Sequence, residues 1–270
     1  HDAFFRLECC FRGRTVYTRL RFSSPSLDSR GPFTAGFHPM NTPSIEILES
    51  VATPIGLLCL RRRELLSRPG TMVTEVTLEH EFLMSSYNTA SEEALARLGI
   101  EWHGGQNLAI LVGGLGLGYT AQAALDCSQV ARVGVIEFLP EVISWLSRDL
   151  IPLAGRLLNE PRFSVKQDDF FRYLGAPAES LYDIILVDID HSPDENLDSE
   201  NLDFYTVAGL LQVRGHLEEN GVLAVWSSAP NESFVASLKE VFSEVKTERV
   251  EWHNELIDED QCDLVFLARR

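Results

Sequence analysis

Two kinds of apolar spacing divide the chain. Ser44–Ser50, Gly56–Arg62 and Met72–Leu78 show partial alternation and are separated by Thr53-Pro54 and Pro69-Gly70, which predicts short strands of a small antiparallel sheet. Ser91 then offers an N-cap with Glu92 and Glu93 in the first turn, opening a helix to about Leu98. From Leu108 the text changes to continuous apolar runs alternating with helical stretches. Leu108–Val112, Val133–Glu137, Phe163–Gln167, Tyr182–Asp188 and Val222–Ser227 read as strands, with closing strands near Lys246–Trp252 and Cys262–Leu267. Between them, Tyr119–Leu125, Pro140–Leu150, Asp169–Leu174, Phe204–Leu217 and Ser233–Phe242 read as helices. Strands apolar on both faces that alternate with helices imply a doubly wound, mostly parallel sheet of seven strands, an α/β fold of Rossmann-like type. The expected organisation is an unplaced segment over 1–40, a small β domain over 41–85 and the α/β domain over 86–270.

Charge separates the first segment from the rest. Residues 1–39 balance at +3 and residues 40–270 at -20, and the first 39 show no sustained period of either kind. A targeting presequence is one reading; sequence upstream of a start at Met40 is the favoured one, and no function is placed there. The overall charge of -17 argues against nucleic acid as a partner and suits cationic ligands. No apolar run approaches the roughly 18–20 residues of a membrane helix, so no membrane partner is expected. Cys9, Cys10, Cys59, Cys127 and Cys262 have neither metal spacing nor a disulfide framework, which points to a reducing, cytoplasmic setting without a metal.

The densest chemical signal is Ile110-Leu111-Val112-Gly113-Gly114-Leu115-Gly116-Leu117-Gly118, a glycine loop between a buried strand and a helix. Gly113, Gly114, Gly116 and Gly118 in that place let a ligand approach the backbone and the helix amides. Glu137, at the end of the next strand, is positioned to accept both hydroxyls of a ribose. The dinucleotide fingerprint G-x-G-x-x-G is not matched, because Gly114 and Gly116 lead to Gly118, which favours a nucleoside over a diphosphate ligand. Asp168 ends the third strand, where it accepts from an adenine amino group or, alternatively, caps the helix that follows.

Tyr182-Asp183-Ile184-Ile185-Leu186-Val187-Asp188 delivers Asp188 to the carboxyl edge of the sheet. A carboxylate there suits a cationic amine and its proton. Seven acids fall within Asp188–Asp203, among them Asp190, and the stretch reads either as an acceptor-binding loop or as a solvated one. His191 is a candidate base near neutral pH or a residue that holds the loop.

On these residues the chain resembles the spermidine synthase family of polyamine aminopropyltransferases, and its bacterial spermidine-synthase-like branch, from about Thr53 to the C-terminus. The resemblance implies a class I S-adenosylmethionine-type fold. It also implies decarboxylated S-adenosylmethionine as donor, transfer of an aminopropyl group to an amine without a metal, and a homodimer through the N-terminal β region. It assigns Glu137 to the ribose, Asp168 to the adenine and Asp188 to catalysis. Glu93, Asp190 and Tyr205 are assigned to the acceptor side, and His191 stands beside Asp188 as a second catalytic candidate.

The sequence departs from the family at three places. Its loop reads GGGDGG, and Gly116 stands where that Asp holds the donor's ammonium. Histidine replaces the second acid of D-[ST]-x-D-P, and Ser91 replaces the aromatic before the acceptor glutamate. Three functions follow as expectations: aminopropyl-type transfer to an amine, methyl transfer from S-adenosylmethionine, and nucleoside binding without catalysis.

Overall fold

The computed structural model describes residues 9–11, 14–16, 45–79, 81–189, 192–193, 203–255 and 258–270. Strands β1 (Cys9–Phe11) and β2 (Arg14–Val16) form an antiparallel pair. Strands β3 (Ile45–Thr53), β4 (Gly56–Glu64), β5 (Met72–Leu78) and β6 (Glu81–Ser85) form the small antiparallel sheet, in that order. The fourth strand was not legible in the sequence because Glu81–Ser85 is short and alternates poorly. Buried Glu75 binds the guanidinium groups of Arg61 and Arg63 at 2.8 and 2.7 Å, so the charge that β5 puts indoors is matched twice.

Helix α1 (Ala90–His103) leads to the larger sheet, whose strands are β7 (Leu108–Gly113), β8 (Val130–Glu137), β9 (Phe163–Gln167), β10 (Tyr182–Val187), β11 (Leu217–Ser227), β12 (Glu244–Asn254) and β13 (Glu259–Arg269). Their order is β12-β13-β11-β10-β7-β8-β9, with the two closing strands antiparallel and the rest parallel. The mostly parallel seven-stranded sheet expected from the alternation is therefore present. Helices α2 (Tyr119–Leu125), α3 (Pro140–Ser147), α4 (Ala154–Leu158), α5 (Phe170–Gly175), α6 (Val207–Gly215) and α7 (Glu232–Val241) complete the two layers. Every residue of β7 is buried, as a central strand covered on both faces requires. None of the helices among the described residues is long and apolar enough to cross a membrane.

Two features of this frame position the site. The first is the close packing of α1 on β10: a Cβ added to Gly99 would lie 3.2 Å from Leu186 and 3.4 Å from Ile184. The small residue lets the helix settle against the strand, carrying its first turn to the carboxyl end of β10. The second is an overhang. β11 pairs with β13 only as far as Ser227↔Leu264, whereas β12 and β13 continue to Asn254↔Glu259. The projecting hairpin is tied down where Asp263 Oδ2 accepts from Ser91 Oγ at 2.6 Å and from Trp252 Nε1 at 3.3 Å. Glu255 accepts from Tyr87 Oη at 2.9 Å and pairs with Arg68. Ser91 is thus not the N-cap the sequence suggested; Thr89 occupies that place, and Ser91 is held by the hairpin instead.

Candidate active site

The register of the parallel strands aligns Ile136, Gly113, Val187 and Val225 across the sheet. One residue further along each strand come Glu137, Gly114, Asp188 and Trp226, a row at the carboxyl edge where ligands of doubly wound folds sit. Glu137 is 8% exposed, and its two oxygens accept from the amides of Leu115 and Leu139, each at 2.8 Å. Burial pushes its carboxyl above the usual range, and the amides of Leu139, Leu115, Gly116 and Phe138 pull it back. Each carboxylate oxygen keeps a second lone pair, so the side chain is fixed in place and still able to accept from a diol.

The glycine loop is folded as its composition demands. Gly114 has φ +86°, and a Cβ there would lie 2.7 Å from the Asp188 carbonyl oxygen, so a side chain would drive the loop off β10. Gly116 has φ +51°, and a Cβ there would lie 2.8 Å from Sδ of Met84 on β6. The space beside Gly116 is filled by a thioether from the small sheet, and the loop presents no charge there.

At the β9 end, Asp169 caps α5 by accepting from Arg172 N at 3.0 Å, which relieves Asp168 of capping. Asp168 instead accepts from Asp169 N at 2.9 Å, pairs with Lys166 at 2.8 Å and binds the Arg172 guanidinium. Its hydrogen bond with Lys166 holds its carboxyl below the usual range. Asp168, Gln167, Asp169, Arg172 and Phe138 line an open groove of about 330 Å³. Phe138, 47% exposed, directly follows Glu137 and was not singled out from the sequence, although a large aromatic beside that acid at the sheet edge was there to be read.

At the β10 end, Asp188 Oδ2 accepts from Thr120 Oγ1 at 2.5 Å. Burial raises its carboxyl, and the Thr120 hydrogen bond opposes that rise. Glu92, in the first turn of α1, has a carboxyl that burial and the Asp188 charge push up to about 8. Glu93, the position reached by spacing, is exposed and accepts from Thr89 Oγ1 at 2.8 Å. Half-buried Glu92 lies on the side of α1 that carries buried Leu95, Ala96 and Gly99, whereas Glu93 shares its side with exposed Arg97. Trp226 borders Asp188 in the same row, and its buried indole N–H has no hydrogen-bond partner among the described residues.

Tyr205 lies elsewhere. Its ring is 9% exposed and packs edge-on against Phe204 and Phe234, in the core on the face opposite α1. The aromatic density of Phe170, Phe171, Phe204 and Phe234 draws it into that core. Asp190 and His191 lie outside the described residues.

No family model matches the chain. A polyamine aminopropyltransferase of Prochlorococcus marinus (strain MIT 9215) is 28% identical over 146 residues, 51% of this chain and 49% of that protein. One of Corynebacterium efficiens is 33% identical over 127 residues, 45% of this chain and 22% of that protein. The chain thus spans about half the length, or less, of the curated relatives it matches. Among solved structures, spermidine synthase from Thermotoga maritima superposes with a TM-score of 0.64 at 15% identity, covering 83% of this chain and 72% of that one. A spermidine synthase in complex with the transition-state analogue AdoDATO superposes at 0.66 and 15%, covering 83% and 73%.

Proposed function

We propose that this chain, related to the spermidine synthase family in sequence and in fold, is a transferase. It moves an aminopropyl-type group from an adenosyl sulfonium to an amine acceptor. The observation that carries the reading is the edge row itself, with Glu137 held by two backbone amides at one end and the half-buried acids Glu92 and Asp188 at the other. Decarboxylated S-adenosylmethionine is the proposed donor. Its adenine lies in the groove beside Phe138 and Asp168, its ribose on Glu137, and its aminopropyl arm runs past the glycine loop toward Asp188. A cationic acceptor enters the acidic end, between the first turn of α1 and the overhanging hairpin.

In this mechanism the chain holds the amine nitrogen in line with the carbon next to sulfur. Most of the acceleration comes from that positioning. The Asp188 end takes the proton from the acceptor nitrogen; the nitrogen lone pair forms the new N–C bond as the C–S bond breaks toward sulfur, leaving a neutral thioether. Incubation with decarboxylated S-adenosylmethionine and a panel of di- and polyamines, read by mass spectrometry, tests the reading. Aminopropylated amine and 5′-methylthioadenosine are expected, and S-adenosylhomocysteine formed from S-adenosylmethionine would overturn it.

The proposal includes a homodimer in a cytoplasmic setting. Ile45 and Ile47 on β3 are each 65% exposed on the edge strand of the small sheet, which supports pairing through that sheet. Sedimentation showing a monomer at micromolar concentration would remove the dimer.

A further inference from the structure

The reaction proposed above asks two things of Asp188 at once. It must stay ionised although its surroundings are partly dry, and it must present a lone pair in one direction. Burial opposes the first, because desolvation favours the protonated carboxyl. The side chain itself does not provide the second, because the terminal torsion of an aspartate is soft. Both needs are met from α2.

Thr120 is the second residue of α2, and it is 4% exposed. A threonine in the first turn of a helix ordinarily turns its hydroxyl to water or to a nearby backbone group. Thr120 Oγ1 instead donates to Asp188 Oδ2 at 2.5 Å, across 68 residues of sequence. Both ends of this hydrogen bond are anchored by the glycine loop. The Asp188 amide donates to the Gly113 carbonyl at 3.2 Å, and the Asp188 carbonyl packs on Gly114. On the other side, the Gly118 amide donates to the Leu115 carbonyl at 2.8 Å, where α2 begins. Gly118 has φ +90° and sits so close to Leu157 that a Cβ would lie 2.6 Å from its Cδ1, and Ala121, Ala124 and Leu125 bury the helix beyond it. Among the described residues no other group donates to the Asp188 carboxylate. Glu92 on α1 feels the Asp188 charge and is itself an acid, while Trp226 on β11 and the glycines of the loop bring no charge. The Thr120 hydroxyl is thus the one group of this neighbourhood that favours the ionised form.

Resting on the amine-transfer reading, we infer that Thr120 is a positioning residue for the reaction. Its hydroxyl occupies Oδ2 of Asp188, fixes the plane of the carboxylate and leaves Oδ1 to accept from the acceptor nitrogen. The same hydrogen bond opposes the rise that burial imposes on the carboxyl. In the transfer step Thr120 keeps its own proton. The proton of the acceptor nitrogen passes to Oδ1, the nitrogen lone pair forms the N–C bond, and the C–S electron pair leaves on sulfur. Because α2 starts where the glycine loop ends, the segment that carries the donor also sets the aim of the acid that serves the acceptor.

The test compares the whole chain with Thr120→Val, which keeps the shape and removes the hydroxyl, and Thr120→Ser, which keeps the hydroxyl. The rate of transfer from decarboxylated S-adenosylmethionine is followed as a function of pH. The acceptor is whichever of 1,3-diaminopropane, putrescine, cadaverine and spermidine the wild type uses fastest. Thr120→Val should lower kcat at pH 7 roughly tenfold and move its acidic limb up by about one pH unit, the size of one lost hydrogen bond to a charged group. Affinity for 5′-methylthioadenosine should stay unchanged, and Thr120→Ser should restore both rate and limb. Carbon NMR of aspartate labelled at Cγ, with the Asp188 signal assigned by its loss in Asp188→Asn, should show the same rise in midpoint without turnover. An unmoved limb and midpoint in Thr120→Val would overturn the inference. So would an equal loss in Thr120→Ser, or a tenfold loss of 5′-methylthioadenosine affinity, which would mean that Thr120 shapes the loop instead. A wild type that shows the NMR shift on Thr120→Val yet transfers nothing to any of the four amines overturns the transfer reading rather than the hydrogen bond.

Discussion

Glu137 and Asp188 stand in the same row, yet the chain treats them in opposite ways. Glu137 meets two backbone amides at 2.8 Å, partners supplied by loops whose shape is fixed by the sheet. Asp188 meets a single hydroxyl, whose hydrogen bond only partly offsets the cost that burial puts on its charge. The first arrangement is complete before any ligand arrives. The second becomes favourable only when a cation enters, because a buried charge is costly until it is paired. On the proposed reading, rigid recognition would lie at the nucleoside end and the coupling of binding to chemistry at the amine end.

This contrast is broken most severely by Asp188→Asn, which keeps the shape and removes the charge. Turnover is expected to fall about 10²–10⁴-fold with nucleoside affinity unchanged; steady-state kinetics alongside 5′-methylthioadenosine calorimetry would show whether the two ends separate in this way. The complementary change, Glu137→Ala, should weaken 5′-methylthioadenosine by roughly 2–3 kcal/mol, the loss of a charge-assisted acceptor for a diol. An unchanged dissociation constant in a folded Glu137→Ala protein would remove the ribose assignment.

A third expectation concerns pH. Glu92 holds its proton more tightly in the folded chain than its ordinary value of 4.5 allows, up to about 8, so the native state binds more protons than the unfolded one across that window. Stability of the unliganded protein should therefore fall as pH rises from about 5 to about 8, and raised Glu137 and Asp188 act with the same sign. Glu92→Gln should recover about 1–3 kcal/mol at pH 8 and little at pH 5. Denaturant melts at the two pH values give the comparison, and parallel losses in wild type and variant would count against it. The smallest effect is expected at Phe138→Ala, about 1 kcal/mol of nucleoside affinity from lost stacking in the Asp168 groove. Equal binding by that variant would move the base elsewhere.

The helices and strands of the larger sheet were legible because its central strands are apolar on both faces. The glycine loop was legible because Gly114 must approach the Asp188 carbonyl and so tolerates no side chain. Strand β6 was missed, and with it Met84, because a contact between a short irregular strand and a loop over thirty residues away leaves no local trace. Counting back from the glycine loop, which leads to Glu93, sets a position only to within a residue, whereas the buried residues of α1 set which side of the helix meets the sheet. Trp226 reads as one more apolar residue of its strand, and only the register shows that it stands beside Asp188.

The contact between Met84 and Gly116 makes those two positions historically dependent on each other. An aspartate introduced at 116 would meet left-handed backbone at φ +51°, a cost of about 1–2 kcal/mol for a residue with a Cβ. It would also meet a sulfur 2.8 Å from that Cβ until the Met84 tail swung away. Shortening Met84 first removes the second obstacle and leaves the first. Any lineage that gained or lost a carboxylate at this loop therefore had an easier order of steps, with position 84 small before position 116 acquires its charge. The same asymmetry should appear as non-additivity in a cycle of Met84→Ala and Gly116→Asp.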